Sequence, residues 1–549
     1  NSPVAKRDLA VLTVVRGCVL GTRRASRFFH RLVSSGNFFL DVVAPMCFNR
    51  LLINPSLPFL KSCIMAKETL PLEKLEPARE WSAWKPNEKE PWTAKWAAHL
   101  YRRFAFGPTR EELRESVNSG LDGTVEKLFA VPKEPAARTK IGGPAPLNPA
   151  TAMPDWQAAA RPIRAEWLKR MISGDEPARE KLTFFWHNHF ATSIKKIADG
   201  GLMEVQNTLL FKHACGSFRQ MLKDISRDPA MLIWLDSNEN VKSHPNENFA
   251  REVMELFSLG VGNYSEKDVQ EAARAFSGWH TANGKFTFVE SKHDFEEKKV
   301  LGQKGKWDGE DVLRILLEQP ACAKFLVRKL YQFLVDENVV PPDTFLAPVV
   351  EAFRKSDYDI AVPAKIIAKS RHFYSDYAYR QKVKSPIEYA VGLVRMVGVG
   401  ITGRVTVHPY SLLGALEMMG QDLYTPPNVK GWEGGKAWLN TATVLARHNF
   451  AYEMANGMRD LNAAAAKLTG ASFLPAVDPM SFLFRQGITE PKKVVDYYAN
   501  LLLPGDFSED VRKKLIAYIG DADSESQTFI QRCRDVLYAM LTLPEYQLN

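Results

Sequence analysis

Three stretches of this 549-residue sequence carry side chains able to bind a metal or move protons. In Phe184-Phe185-Trp186-His187-Asn188-His189-Phe190, two imidazoles stand two residues apart. On a strand such a pair shares a face and chelates an ion well. The flanks here have helical spacing, and on a helix residues i and i+2 point about 160–200° apart. His189 then aligns with Leu182, Phe185 and Trp186, and His187 with Phe184 on the other side, so at most one of them joins a given site. The competing reading of His189 is a core histidine held by hydrogen bonds. The letters His-Asn-His do not make this a nuclease, because nuclease sites of that name draw on dispersed residues.

The second stretch runs from His244 to Trp279. A step of about 100° per residue from Phe249 gathers Val253, Leu256, Phe257 and Leu259 on one arc. Glu247, Arg251 and Glu255 stack four apart on the opposite side, as ion-pair rungs do. Glu252 falls inside the apolar arc, where a carboxylate must be paired, protonated or used. Gly260 and Gly262 stop this helix, and Ser265 caps a second, with Asp268 three residues on. Glu247, Arg251 and Glu252 are candidate catalytic residues beside His189, since a carboxylate–imidazole pair can move protons. A helix start with bridged charges is the structural alternative.

The third stretch, His293-Asp294, can add ligands, which makes His189, Glu252, His293 and Asp294 the expected set for a divalent metal. His280 is a weaker candidate. Trp432, Trp438 and Asn440, in and after the turn-rich segment 421–435, are candidates for binding a cofactor, since aromatics beside glycines can line a pocket. Lys384-Ser385 reads as a helix cap before Pro386, and a buried lysine beside a serine there would be of interest.

The elements that must position these residues are mainly helices. Helical spacing recurs over 92–106, 109–119, 155–174, 177–195, 202–224, 309–318, 320–335, 345–355, 384–398, 408–419 and 438–452, and through much of 459–545. Alternation of Phe286 and Phe288 with polar residues, followed by Val300-Leu301, predicts one β-hairpin over about 284–301. The expected fold is mainly α: a large multi-helix single domain over 92–549 with one small hairpin insertion. Residues 65–91 read as a surface tail, and 1–64 as a basic leader, disordered or translated from upstream, with Met65 as a natural start. An Arg-rich targeting peptide is the alternative for the leader.

Composition narrows the function classes. At 45% hydrophobic and 25% charged, the chain suits a large buried core. Of the formal charge of +9, residues 1–64 supply +7, so the remainder is near neutral and lacks a nucleic-acid footprint. Glu266, Asp268 and Glu271 would repel phosphate from the second central helix. No run of about 18 uncharged apolar residues predicts a membrane span. The six cysteines form no CxxC pair, which argues against a cysteine metal site.

WHNHF, NENFAREVMELFSLGVGNYSEKDVQEAARAFSGW, His293-Asp294 before Lys299-Val300-Leu301-Gly302, KVKSPIE (382–388), PPNVKGW (426–432), Trp438-Leu439-Asn440 and the closing LPEYQL together resemble the bacterial domain-of-unknown-function 1800 family. Many relatives carry histidine where this chain has Phe257. The resemblance covers about residues 92–549 and implies a mostly helical bacterial protein, frequently exported and often encoded beside a sulfatase-like partner. It brings no activity with it. Two expectations follow. One is an enzyme with a His/carboxylate site, metal-assisted or not, acting on a small molecule or envelope polymer. The other is a non-catalytic scaffold for the co-encoded sulfatase-like protein. A start at Met65 without a hydrophobic signal segment points to the cytoplasm, with export alongside a signal-bearing partner as the alternative.

Overall fold

Capping chemistry sets most helix starts. The computed structural model describes residues 70–131, 140–398, 409–457, 479–505 and 507–549, with 463 and 467. Helix α1 (Ala94–Phe104) is followed by α2 (Arg110–Leu128), opened by the predicted Thr109–Glu112 capping box. Next come α3 (Trp156–Ser173) and α4 (Pro177–His189), the latter with Pro177 in its first turn, where a missing N–H costs nothing. The helix expected over 202–224 is two, α5 (Gly200–His213) and α6 (Phe218–Ser226). Ser217 caps α6, while Gly216 O accepts from Ile360 N and Phe218 N donates to Tyr358 O. These distant bonds outweigh local helical continuity.

The central pair is α7 (Asn248–Glu255) and α8 (Glu266–Phe276), the second opened by the predicted Ser265–Asp268 box. Two small antiparallel sheets follow in place of the single hairpin over 284–301. Strands β1 (Trp279–Ala282) and β2 (Lys285–Phe288) pair Thr281 with Phe286, and β3 (Lys298–Val300) and β4 (Gln303–Gly305) pair Val300 with Gln303. The reason lies in Asn283-Gly284, whose φ values of 51° and 69° make the tight two-residue turn favoured by the twist of a hairpin. Phe286 therefore pairs backwards, and Val300 makes a hairpin of its own.

The remaining longer helices are α9 (Gly309–Glu318), α10 (Pro320–Leu334), α11 (Asp343–Lys355), α12 (Ala361–Lys369), α13 (Pro386–Leu393), α14 (Tyr410–Met418), α15 (Thr441–Ala455), α16 (Pro491–Leu502), α17 (Glu509–Ile519) and α18 (Gln527–Thr542). The class is mainly α, as expected. No helix among the described residues is long and apolar enough to cross a membrane. The expected leader, 1–64, and most of 458–478 lie outside the described residues.

Residues 70–91 are more than a surface tail. Trp81 is buried and its Nε1 donates to Phe345 O at 2.7 Å, while the Trp84 ring lies 4.7 Å from that of Tyr374. Burying two indoles supplies a few kcal/mol that charged loop residues cannot.

The core runs unbroken from α4 to α12, with Trp186, Phe218, Val253, Phe257, Leu326 and Leu330 among its members. Arg103 crosses its edge. Nη1 donates to Leu334 O (3.3 Å) and Val335 O (2.9 Å), and Nη2 to Ala378 O (2.6 Å) and the main-chain oxygen of Asn549 (3.0 Å). One buried guanidinium thus satisfies the end of α10 and two later segments. Arg103→Leu, which keeps the bulk but strands four acceptors, is expected to lower unfolding free energy by ~3 kcal/mol or more. Guanidinium denaturation with an unchanged m-value is the check.

Candidate functional site

Every residue of α4 is buried except Arg179 and Asn188, which are of intermediate exposure. A helix enclosed on all sides is normally apolar throughout, but this one carries Glu180, Lys181, His187 and His189. Each has found a partner. Glu180 accepts from Trp167 Nε1 at 2.9 Å and Arg170 Nε at 3.0 Å, and Lys181 pairs with Glu388.

The His-Asn-His run is a set of three backbone clamps. His187 Nε2 accepts from Tyr424 N at 3.1 Å, which places its proton on Nδ1, and burial pushes its pKa down to about 3. Asn188 holds the backbone of one residue from both sides: its Oδ1 accepts from Trp432 N at 2.7 Å and its Nδ2 donates to Trp432 O at 3.2 Å. His189 Nε2 donates to Phe257 O at 3.1 Å. As the helical spacing requires, the two histidines serve different segments. His189 is also 3% exposed, and its Nδ1 has no hydrogen-bond partner among the described residues. Burial, then the Lys329 charge, hold this imidazole well below its usual range against the pull of the Phe257 carbonyl. It is therefore neutral, and its open Nδ1 is an acceptor.

These clamps border a cavity of about 330 Å³. Helix α4 contributes Phe184, Phe185, Asn188 and His189, while α10 contributes Lys329, Gln332 and Phe333, with Glu337 just beyond. The 382–388 segment adds Lys382, Val383, Ser385 and Glu388, and the 421–438 loop adds Gln421, Trp432 and Trp438, with Lys430 and Glu433 at the exposed rim. Three of the motif segments of the sequence, far apart in the chain, meet here.

The walls are rigid because their polar groups are mutually satisfied. Ser385 caps α13 in a reciprocal box with Glu388, and Ile387 N donates to Gln421 Oε1 at 3.1 Å. Glu337 Oε1 accepts from Val383 N at 2.9 Å, and Lys382 Nζ donates to Phe333 O at 2.6 Å. Lys384 turns away from the cavity wall: its Nζ donates to Tyr546 O at 2.6 Å over the Tyr546 ring. Burial raises the Glu388 carboxyl, but the Lys181 and Lys382 ammonium groups and the Ser385 N–H outweigh it, leaving Glu388 below the ordinary carboxylate range.

The expected residues divide accordingly. His189, Trp432 and Trp438 line the cavity; Asn440 does not, being exposed and committed to capping α15 with Thr443. Arg251 and Glu247 make their bonds with each other and with Glu266, not with His189. Arg251 Nη2 bonds Glu247 at 2.9 Å and Glu266 at 2.7 Å, an ion-pair staple joining the starts of α7 and α8 at partly exposed positions. Glu252 makes no hydrogen bond through its carboxylate among the described residues and does not pair with His189, whose partner is the Phe257 carbonyl. Burial, then the Glu255 charge, raise its pKa, with Lys430 and Arg251 opposing.

The expected metal set does not assemble. His293 Nδ1 bonds Ser277 O at 2.7 Å, and Asp294 Oδ2 accepts from Arg274 Nε at 2.7 Å, so both are spent securing the segment after β2 against α8. Among the described residues no three His, Cys, Asp or Glu side chains stand close enough to share an ion. His280 is buried on β1.

Lys329, Glu337, Lys382, Glu388 and Gln421 were missed as site residues. For Lys329 a signal existed: it stands between Phe325 and Phe333 at four-residue steps, a charge in an apolar row, just as Glu252 does. Glu388 sits in the first turn of α13 as the partner of its cap, and Glu337, Lys382 and Gln421 come from turns and loops, where no periodicity marks a buried side.

Two outcomes are expected. Gly431 has φ +81°, and a Cβ there would lie 2.2 Å from Asn188 Oδ1, so Gly431→Ala must open the Asn188–Trp432 clamp. A cost on the order of 1–3 kcal/mol and a shifted tryptophan emission are the expected readings. The folded pKa of Glu388, about 2, lies below its unfolded value, so its stabilisation is full above about pH 4.3 and is lost progressively as pH falls from there through the folded value. Relative to the parent, Glu388→Gln is expected to lose about 2 kcal/mol less stability between pH 6 and pH 3, read from urea unfolding at each pH.

Comparison with known proteins adds the family. No curated protein and no solved structure matches the chain. Residues 99–548 match the family described as "Protein of unknown function (DUF1800)". That span holds every wall of the cavity, and the chain belongs to the DUF1800 family.

Proposed function

We propose that the protein is an enzyme whose active site is the cavity between α4, α10, the 382–388 segment and the Trp432 loop. The observation that carries this reading is His189. Its Nε2 is locked by a main-chain carbonyl, which fixes the ring and tautomer in the cavity wall, and its Nδ1 lone pair is buried without a partner among the described residues. An oriented neutral imidazole of this kind is suited to take a proton from a bound substrate. Leaving a buried acceptor unpartnered costs about 1–3 kcal/mol, a cost that active sites characteristically carry. The volume is at the small end of ligand pockets, and Phe184, Phe185, Phe333, Trp432 and Trp438 provide the apolar lining such pockets have. The substrate is a small organic molecule, or the end of an envelope polymer entering past Lys430 and Glu433. Nothing in the proposed chemistry requires the metal ion expected from the sequence.

Incubating the purified chain with a panel of small metabolites and polymer fragments, followed by mass spectrometry, tests this. The expected result is consumption of at least one compound, with kcat lowered about 10²–10⁴-fold in His189→Gln at little cost in KM, and with KM raised in Trp432→Ala. Turnover undiminished in His189→Gln overturns the base role. No turnover, with stable copurification of a sulfatase-like neighbour, overturns the enzyme reading in favour of a scaffold.

A further inference from the structure

The ionisable groups lining the cavity are His189 from α4, Lys329 from α10, Glu337 beyond it, Lys382 and Glu388 from the 382–388 segment, and Lys430 and Glu433 from the loop. Most are already engaged or solvated. Glu388 is paired with Lys181, and Glu337 accepts from Val383 N with Lys382 Nζ 3.9 Å from its other oxygen. Lys382 is satisfied by Phe333 O, and Lys430 and Glu433 are exposed. His189 is neutral and presents an acceptor. Lys329 differs from all of these. Among the described residues its Nζ makes no hydrogen bond and no ion pair, and its near neighbour is the Phe325 ring at 5.2 Å. Burial alone pushes its pKa down to about 8.

Lys329 is partly exposed where it lines the cavity, and an ammonium partly withdrawn from water with no anion beside it gains when one arrives. Glu388 and Glu337 cannot supply it, because Lys181, Lys382 and main-chain N–H groups hold them, and Glu433 is exposed at the rim with no ion pair to Lys329 among the described residues. We propose that Lys329 is the anion seat of this cavity, and that the ligand is a small organic acid, a carboxylate or phosphate monoester. Its charged end pairs with Lys329 while its body lies against Trp432 and Trp438. His189 cannot share that role, since its Nδ1 accepts rather than donates. It is left to face a hydroxyl or acidic C–H elsewhere on the same ligand. This inference rests on the cavity being the ligand site, and it adds the charge class of the substrate.

Competitive labelling of the full chain with acetic anhydride tests it, with the acetylation rate of Lys329 read by peptide mass mapping. The probes are phenylacetate, phenyl phosphate and, as the neutral counterpart, phenylacetamide. The expected result is at least fivefold slower labelling of Lys329 with one or both acids and no slowing with the amide, while surface lysines such as Lys355 are unaffected. Protection by one acid alone separates carboxylate from phosphate recognition. In Lys329→Gln, calorimetric affinity for the protecting acid should fall at least tenfold with the thermal midpoint unchanged. Equal protection by the amide overturns the anion seat but leaves the cavity a ligand site. Labelling unmoved by either acid overturns the anion seat outright, while the turnover test with His189→Gln judges the enzyme reading separately.

Discussion

A helix enclosed on every side must find a partner for each polar group it carries, and α4 carries four charged or imidazole side chains into the core. An unsatisfied buried donor or acceptor costs about 1–3 kcal/mol, and a lone charge more. The partners come from far along the chain: Trp167 and Arg170 for Glu180, Glu388 for Lys181, the Tyr424 N–H for His187 and the Phe257 carbonyl for His189. With Asn188 holding the Trp432 backbone from both sides, one helix fixes the approach of α3, the α7 end, the 382–388 segment and the long loop. The cavity is the space these approaches leave.

This accounting separates structural polar residues from the others. Around the α7–α8 corner the charges are spent: Arg251 on Glu247 and Glu266, Glu255 on Tyr264, and Arg274 on Asp294. Glu252 is the exception in this corner, its carboxylate making no hydrogen bond among the described residues. In the cavity the same accounting leaves two groups over, the Nδ1 of His189 and the ammonium of Lys329. One is an acceptor and the other a donor cation, and no hydrogen bond joins them among the described residues. The asymmetry between closed and open networks, more than the density of polar residues, distinguishes a framework from a site.

Much of the local structure was legible in the residues. The capping boxes at Thr109, Ser265 and Ser385, the proline start of α4 and the opposed directions of His187 and His189 depend on neighbours within four positions. The two-residue turn at Asn283-Gly284 was equally local, although the hairpin was expected further on. Trp432 and Trp438 could be singled out because aromatics beside glycines in a loop can line a pocket, although such tryptophans also commonly just pack loops. Glu252, read from its place in the apolar arc as a partner for His189, is partly exposed and does not bond it. Its position in an apolar arc says that burial raises its pKa and says nothing about which distant segment lies opposite.

The sequence by itself determined the helical class, the helix starts and the direction in which each side chain leaves its own helix, because these are set by backbone geometry over one or two turns. Only the tertiary structure decided that His189 meets the Phe257 carbonyl and not Glu252, that His293 and Asp294 belong to the segment after β2, and that Lys329 faces a cavity without a counter-ion. The pairings join residues 16 to 68 positions apart, chosen by competition among all buried polar groups for partners. No periodicity within a single segment records the outcome of that competition.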